Sequence, residues 1–171
     1  MFIDEDGRSV LFHGVNVVYK VAPYIPSTED FDPFDSLNDE DIENLVQWGF
    51  NFVRLGVMWE AVERVQGQYD TEYLQKVAQL IDKLGNAGIY TLVDMHQNAF
   101  ARISCGEGFP NFYAKQAAKK PYCINRFVDW FLSPIYSSFG FCQDMSSFDY
   151  SLDSDGNPEI ADCITKPPKD Y

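Results

Sequence analysis

Ionisable and polar side chains stand at the ends of three apolar runs in this sequence. Such groups are costly to hold against a hydrophobic core unless they contact a ligand or one another. Carboxylates accept hydrogen bonds, cationic side chains donate them and imidazole does both, so together they suit the binding of a polar ligand. The candidates are Asn16 and Lys20 at the first run, Arg54, Trp59 and Glu60 at the second, and Asp94, His96 and Asn98 at the third.

The elements that position these groups follow from the hydrophobic pattern. Asp6-Gly7 predicts the tight turn of a hairpin, and Asn38 predicts the start of a helix that ends before Gly49. In chain order we predict a hairpin over 1–12, a strand over 15–18, a helix over 38–48, a strand over 50–57, a helix over 70–87 and a strand over 89–93.

The alternation of strands and helices predicts an α/β fold with a parallel sheet. In such folds functional groups collect at the carboxyl ends of the strands, where the polar residues stand. We divide one domain into an entry hairpin and first strand (1–20), a βαβ core (38–95) and a long loop excursion (96–171). Within the excursion only residues 125–132 have a helical pattern, and Pro134 would end it.

The composition excludes several classes of protein. The chain has 171 residues, a hydrophobic share of 46% and a formal net charge of −13. Its aromatic content argues against a disordered acidic tail, and its charge argues against binding nucleic acid or anionic membrane surfaces. No apolar run reaches the ~18 residues that span a bilayer, and the first residues do not resemble a signal peptide.

Four cysteines lie in the last third or so of the chain, at positions 105, 123, 142 and 163. They contain no Cys-x-x-Cys pair, so a zinc or thioredoxin-type site is disfavoured. Two disulfides would suit an oxidising compartment and allow three connectivities, and four buried free thiols are the alternative.

Four short motifs in chain order carry a resemblance to a known family. They are His-Gly-Val-Asn at 13–16, Phe-Asn-Phe-Val-Arg-Leu at 50–55, Trp-Glu at 59–60 and Leu-Val-Asp-Met-His-Gln at 92–97. They resemble the first three strands of glycoside hydrolase family five, in the cellulase-like clan. The stretches 14–24, 55–63 and 105–110 resemble the endoglycoceramidase branch, whose members cleave between a glycan and ceramide. The resemblance implies a partial TIM (β/α)8 barrel holding strands one to three.

The resemblance also implies roles for five residues. Arg54 matches the arginine that orients the catalytic nucleophile, and His96 matches a histidine that hydrogen-bonds the sugar beside the scissile bond. Lys20 and Asp94 match positions that contact sugar hydroxyls. Asn98 stands where the branch has aspartate, a departure that puts the sugar preference in question.

Retaining glycoside hydrolysis needs two carboxyl groups about 5–5.5 Å apart. In this family they follow strands four and seven, the acid/base within an Asn-Glu-Pro, which this chain lacks. A whole barrel takes typically ~250 residues. We therefore expect an N-terminal piece that holds neither catalytic carboxylate, is inactive alone and leaves a sticky third-strand edge where strand four would pair.

Several alternatives stay open beside this hypothesis. Arg54 could form a purely structural ion pair, and His96 could be a core histidine whose hydrogen bonds are all satisfied within the protein. Trp59 could either stack on a sugar or pack against the protein. Glu60 and Asp94 could form a carboxylate pair of their own. At the level of the whole protein the alternatives are a catalytically dead binder of carbohydrate or lipid and an ordinary family-five β-glucanase.

The partners and location follow from the same resemblance. We expect a glycan or glycolipid substrate and the remainder of the barrel as partners, with no nucleic acid, stable membrane insertion, cofactor or metal. The relatives and the cysteines together predict secretion or delivery to lysosomes.

Overall fold

The computed structural model describes residues 1–118, 151–154 and 157–165, and the chain divides into two compact units, Met1–His96 and Gln97–Tyr171. The first unit contains the sheet, and the second contains the segment that follows it. The helix predicted over 125–132, together with Cys123 and Cys142, lies outside the described residues.

The chain opens with the predicted hairpin. Strand β1 (Phe2–Ile3) pairs antiparallel with β2 (Ser9–Val10). Gly7 has a φ of 77°, in the left-handed region that glycine adopts without steric cost. The carboxylate of Asp4 accepts hydrogen bonds from the backbone of Asp6 and Arg8, which fixes the turn.

Three parallel strands form the sheet of the first unit, in the order β3-β4-β5. This confirms the predicted α/β fold; the described strands form an open segment and not a closed barrel. Strand β5 continues two residues beyond the prediction, so that Asp94 lies inside it. The elements of this unit after the hairpin are β3 (Gly14–Val17), α1 (Asp39–Gln47), β4 (Phe52–Val57), α2 (Trp59–Val62), α3 (Thr71–Asn86) and β5 (Tyr90–Met95).

Local signals in the sequence set the ends of the two long helices. Asn38 accepts a hydrogen bond from the backbone of Asp41, whose side chain accepts one from the backbone of Asn38, forming a capping box. Asp70 caps α3 in the same way by accepting from the backbone of Tyr73. Gly49 and Gly88 follow the two helices with a φ of 79° each, the conformation that commonly ends a helix.

The core of the first unit lies between one face of the sheet and helices α1 and α3. Val46 in α1 and Leu74 in α3 are at helical spacing from buried apolar residues, but they are 45% and 40% exposed. Tyr73 takes a core position, and its hydroxyl donates to the backbone oxygen of Tyr24. The buried side chains of the core include Ile42, Leu45, Val53, Leu55, Val77, Leu80 and Leu84.

The second unit is more regular than the sequence predicts. Its described part holds a 3-10 helix (Arg102–Ser104), α4 (Asn111–Ala118) and α5 (Ile160–Thr165) within what we predicted as a loop. A disulfide joins Cys105 to Cys163, whose Cα atoms are 5.4 Å apart, so the disulfide interpretation is confirmed for this pair. Such short helices escape prediction because six to eight residues span only about two turns, too few for a hydrophobic period to show.

The capping box makes a prediction about stability. Substitution Asn38→Ala removes the acceptor for the backbone of Asp41, and we expect the free energy of unfolding to fall by about 1 kcal/mol. Asn38→Asp keeps an acceptor and serves as the matched control. Urea titrations followed by circular dichroism give both values, and equal losses in the two variants would contradict the role of the cap.

The disulfide makes a second prediction. A non-reducing tryptic digest analysed by mass spectrometry should contain the Cys105 and Cys163 peptides joined, and reduction should separate them. The bond closes a loop of 58 residues. The entropy that such a crosslink removes from the unfolded chain is expected to stabilise the folded state by about 4 kcal/mol. A peptide that joins Cys105 to Cys123 or Cys142 instead would contradict the pairing.

Candidate functional site

The register of the parallel strands brings polar side chains to one face of the sheet. Asn16 in β3 lies opposite Arg54 in β4, and Gly56 lies opposite Asp94 in β5. Because side chains alternate between the two faces of a strand, Arg54 and Asp94 share a face, while Val53 and Leu55 point into the core. The polar groups therefore meet near the carboxyl ends of the strands, on the face turned away from the helices.

The guanidinium group of Arg54 connects all three strands. Its Nη2 atom lies 2.6 Å from Oδ2 of Asp94, and its Nη1 atom donates to Oδ1 of Asn16 at 3.3 Å. The side chain of Asp94 is 21% exposed and that of Arg54 is 37% exposed. The planar fork of arginine allows one side chain to reach a partner on each neighbouring strand.

His96 extends this cluster beyond the end of β5. Its Nδ1 atom lies 2.9 Å from Oδ2 of Asp94, the same oxygen that Arg54 contacts. Its backbone N–H donates to the carbonyl oxygen of Val57, which continues the pairing of β4 with β5 by one residue. The side chain is 14% exposed. Its Nε2 atom is buried and has no hydrogen-bond partner among the described residues.

The opposite end of the same face is aromatic. The ring of Phe12 lies 4.7 Å from that of Phe52 and 5.6 Å from that of Tyr90, measured between centroids, and it contacts Phe2 at 4.8 Å. Phe52 and Tyr90 begin β4 and β5, at the ends remote from Asp94. The face is thus apolar where the strands begin and polar where they end.

Three of the five predicted site residues are joined by direct contacts. Arg54, Asp94 and His96 form the cluster, whereas Lys20 is exposed on the loop that follows β3. Asn98 is exposed in the second unit, where its backbone pairs with that of Glu107. The geometry shows where these residues lie; their contacts with a substrate stay predictions.

Asn16 is among the polar residues that the sequence places at the strand ends, but the family resemblance implies no role for it, and the structure joins it to Arg54. Its signal was its place in the first strand, but the partner became visible only with the register that sets Asn16 opposite Arg54. Nothing in the local sequence indicates how far the two strands are offset.

Trp59 packs on the other side of the sheet. Its Nε1 atom donates to Oε2 of the buried Glu63 at 2.7 Å. Its ring lines an open apolar groove with Val57, Val62, Val93 and Met95. Since Val57 and Met95 point away from the face that carries Arg54, Trp59 packs on the side of the sheet opposite the polar cluster.

The described residues contain neither a candidate metal site nor a membrane-spanning helix. They hold no group of three or more His, Cys, Asp or Glu side chains that could bind a metal ion. None of their helices is long and apolar enough to cross a membrane.

A parallel β/α sheet whose polar cluster lies at the carboxyl ends of its strands is the arrangement of enzymes built on a (β/α)8 barrel. The family model described as cellulase (glycosyl hydrolase family 5) matches residues 3–131. The chain therefore belongs to glycosyl hydrolase family 5.

Within this family, the chain is similar to several endoglycoceramidases. The chain is 40% identical over 110 residues to an endoglycoceramidase of Cyanea nozakii, covering 64% of this chain and 22% of the relative. It is 41% identical over 110 residues to endoglycoceramidase I of Rhodococcus hoagii (strain 103S), covering 64% of this chain and 21% of the relative. The structure of endo-glycoceramidase II from Rhodococcus sp. in a cellobiose-like imidazole complex matches with a TM-score of 0.53 at 26% identity, over 64% of this chain and 25% of that one. The chain thus spans about a fifth of the length of these curated relatives.

The cluster predicts a measurable contribution of Arg54 to stability. Substitution Arg54→Met removes the donors to Asn16 and Asp94 and leaves the mostly buried carboxylate without its cationic partner. We expect the free energy of unfolding to fall by about 1–2 kcal/mol.

The control for this experiment is Arg8→Met. Arg8 pairs with Asp4 at 2.8 Å on the surface, with 73% of its side chain exposed, where an ion pair contributes little. Urea unfolding of both variants compares the two pairs directly, and an equal or larger loss in Arg8→Met would contradict a special role for the cluster.

Proposed function

We propose that this chain contributes part of the catalytic barrel of a retaining glycoside hydrolase that cleaves the β-glycosidic bond between glycan and ceramide in glycosphingolipids. The observation that carries the proposal is the cluster of Arg54, Asp94 and His96 at the carboxyl ends of the strands. It lies in a chain whose relatives, at 40% and 41% identity, bear the name endoglycoceramidase.

The cluster suits recognition of a sugar. His96 has a ring nitrogen with no protein partner among the described residues, in a site shielded from water, which favours a hydrogen bond from a ligand. We assign Lys20, Asp94, His96 and Asn98 to contacts with sugar hydroxyls. Arg54 has five N–H donors, and we assign it the further task of orienting the carboxylate of the nucleophile.

The two catalytic carboxyl groups are, in this proposal, contributed by residues outside these 171. Retention requires a pair about 5–5.5 Å apart, and within the described cluster the only carboxylate, Asp94, shares its Oδ2 atom between Arg54 and His96. The relatives are about five times as long as the matched region. We therefore propose that the 171-residue chain does not turn over substrate alone and acts together with the remainder of the barrel.

We also propose that the protein is secreted or delivered to lysosomes. The Cys105–Cys163 disulfide supports this location, because disulfides persist in oxidising compartments and are rare in the cytosol.

The function is tested with the protein expressed from its complete reading frame. We expect it to release ceramide and an intact glycan from lactosylceramide in detergent, detected by mass spectrometry. The 171-residue chain should give no product under the same conditions. Cleavage of soluble β-glucan alone would favour an ordinary family-five glucanase, and glycan binding without any turnover would favour a catalytically dead binder.

The role of His96 is tested in the same assay. His96→Gln removes the imidazole that contacts Asp94, and we expect kcat/KM to fall by roughly tenfold or more, the effect of one lost hydrogen bond to the substrate. His13→Gln is the matched control, because His13 is exposed and its ring stacks on that of Phe50. Equal effects of the two substitutions would contradict the assignment.

A further inference from the structure

We propose that Asp94 is a positioning residue that sets the tautomer of His96, so that Nε2 of the neutral ring accepts a hydrogen bond from a ligand hydroxyl. The identity of the ligand as a sugar rests on the proposed function. The tautomer does not, because it follows from contacts within the protein.

The first step is the contact between Asp94 and His96. The Nδ1 atom of His96 lies 2.9 Å from Oδ2 of Asp94. A carboxylate has only acceptors, so the proton of this hydrogen bond must be on Nδ1. In the neutral imidazole the other nitrogen, Nε2, then carries a lone pair and no proton.

The second step is the contact that Arg54 makes with the same oxygen. Nη2 of Arg54 lies 2.6 Å from Oδ2 of Asp94, and a guanidinium group does not lose its protons in proteins. A proton on this oxygen would face the guanidinium cation, so the contact favours an unprotonated Oδ2 that accepts from both Arg54 and His96. Arg54 thus holds Asp94 in the accepting role, and Asn16 in turn accepts from Nη1 of Arg54.

The third step concerns the free nitrogen of His96. Nε2 is buried and lacks a hydrogen-bond partner among the described residues, whereas buried polar atoms in proteins are nearly always paired. The backbone N–H of His96 is fixed to the carbonyl oxygen of Val57, so the residue is anchored at two points. A lone pair held in this way selects a ligand group that donates a proton, such as a hydroxyl, over a carbonyl or an ether oxygen.

The tautomer can be measured directly in the 171-residue chain with 15N-labelled histidine. The chain contains two histidines, and His13→Gln assigns their signals. Ring nitrogens with and without a proton have well-separated 15N chemical shifts. At a pH where both rings are neutral, we expect Nδ1 of His96 to be protonated and Nε2 to be unprotonated. A spectrum in which Nε2 of His96 carries the proton would overturn the proposal without any substitution.

Substitution of the positioning residue is the second measurement. In Asp94→Ala we expect the population of the Nδ1-protonated form of His96 to fall by at least half, while Asp82→Ala, at an exposed position in α3, leaves it unchanged. If the tautomer of His96 is unchanged in Asp94→Ala, a group other than Asp94 sets it, and the proposal is overturned.

The ligand is tested separately in the protein expressed from its complete reading frame, in which His96→Gln assigns the His96 signal, with methyl β-D-glucoside as the ligand and glycerol at the same concentration as the control. Donation of a hydroxyl proton to the lone pair should shift the Nε2 signal of wild-type His96 and leave that of His13 unmoved. Absence of this shift, with Nδ1 protonated as expected, would contradict the sugar as ligand and hence the proposed function. A wrong tautomer would contradict the role of Asp94 whatever the ligand.

Discussion

One oxygen atom holds the candidate site together. Oδ2 of Asp94 accepts from Arg54 on the neighbouring strand and lies within hydrogen-bond distance of His96 beyond the end of its own strand. The contact with Arg54 requires the β4–β5 register that sets Gly56 opposite Asp94, whereas His96 is only two residues from Asp94 in the chain. A slip of one residue would turn Asp94 to the opposite face of the sheet, so the polar cluster depends directly on strand pairing.

One face of β4 packs against the helices, and the other carries Arg54 of the candidate site. Val53 and Leu55 are almost completely buried against the helices, and their packing fixes the strand that carries Arg54 on its other face. Strand β5 differs, since Leu92, Val93 and Met95 are all about half exposed or more. Parallel strands usually have both faces covered, so the described residues give β5 less packing than β4, consistent with a chain that spans about a fifth of its curated relatives.

Much of this first unit could be predicted from local patterns. Helix α1 begins after Asn38 and ends before Gly49 because a cap and a glycine act on the backbone next to them. Exposure was less predictable: Leu74 fits a helical stripe but is 40% exposed, while Tyr73 is buried. Which flank of an amphipathic helix is covered depends on the neighbouring elements, and these are distant in sequence.

The sequence by itself determined the class of fold and the polar residues that stand at the strand ends, because hydrophobic periodicity and short motifs are local properties. It did not determine that Asp94 would be shared by Arg54 and His96, that Asn16 would join them, or that Trp59 would pack on the other side of the sheet. Those outcomes depend on register, on strand direction and on which face each side chain occupies. Only the folded chain fixes these quantities, since they join residues about forty positions apart in sequence.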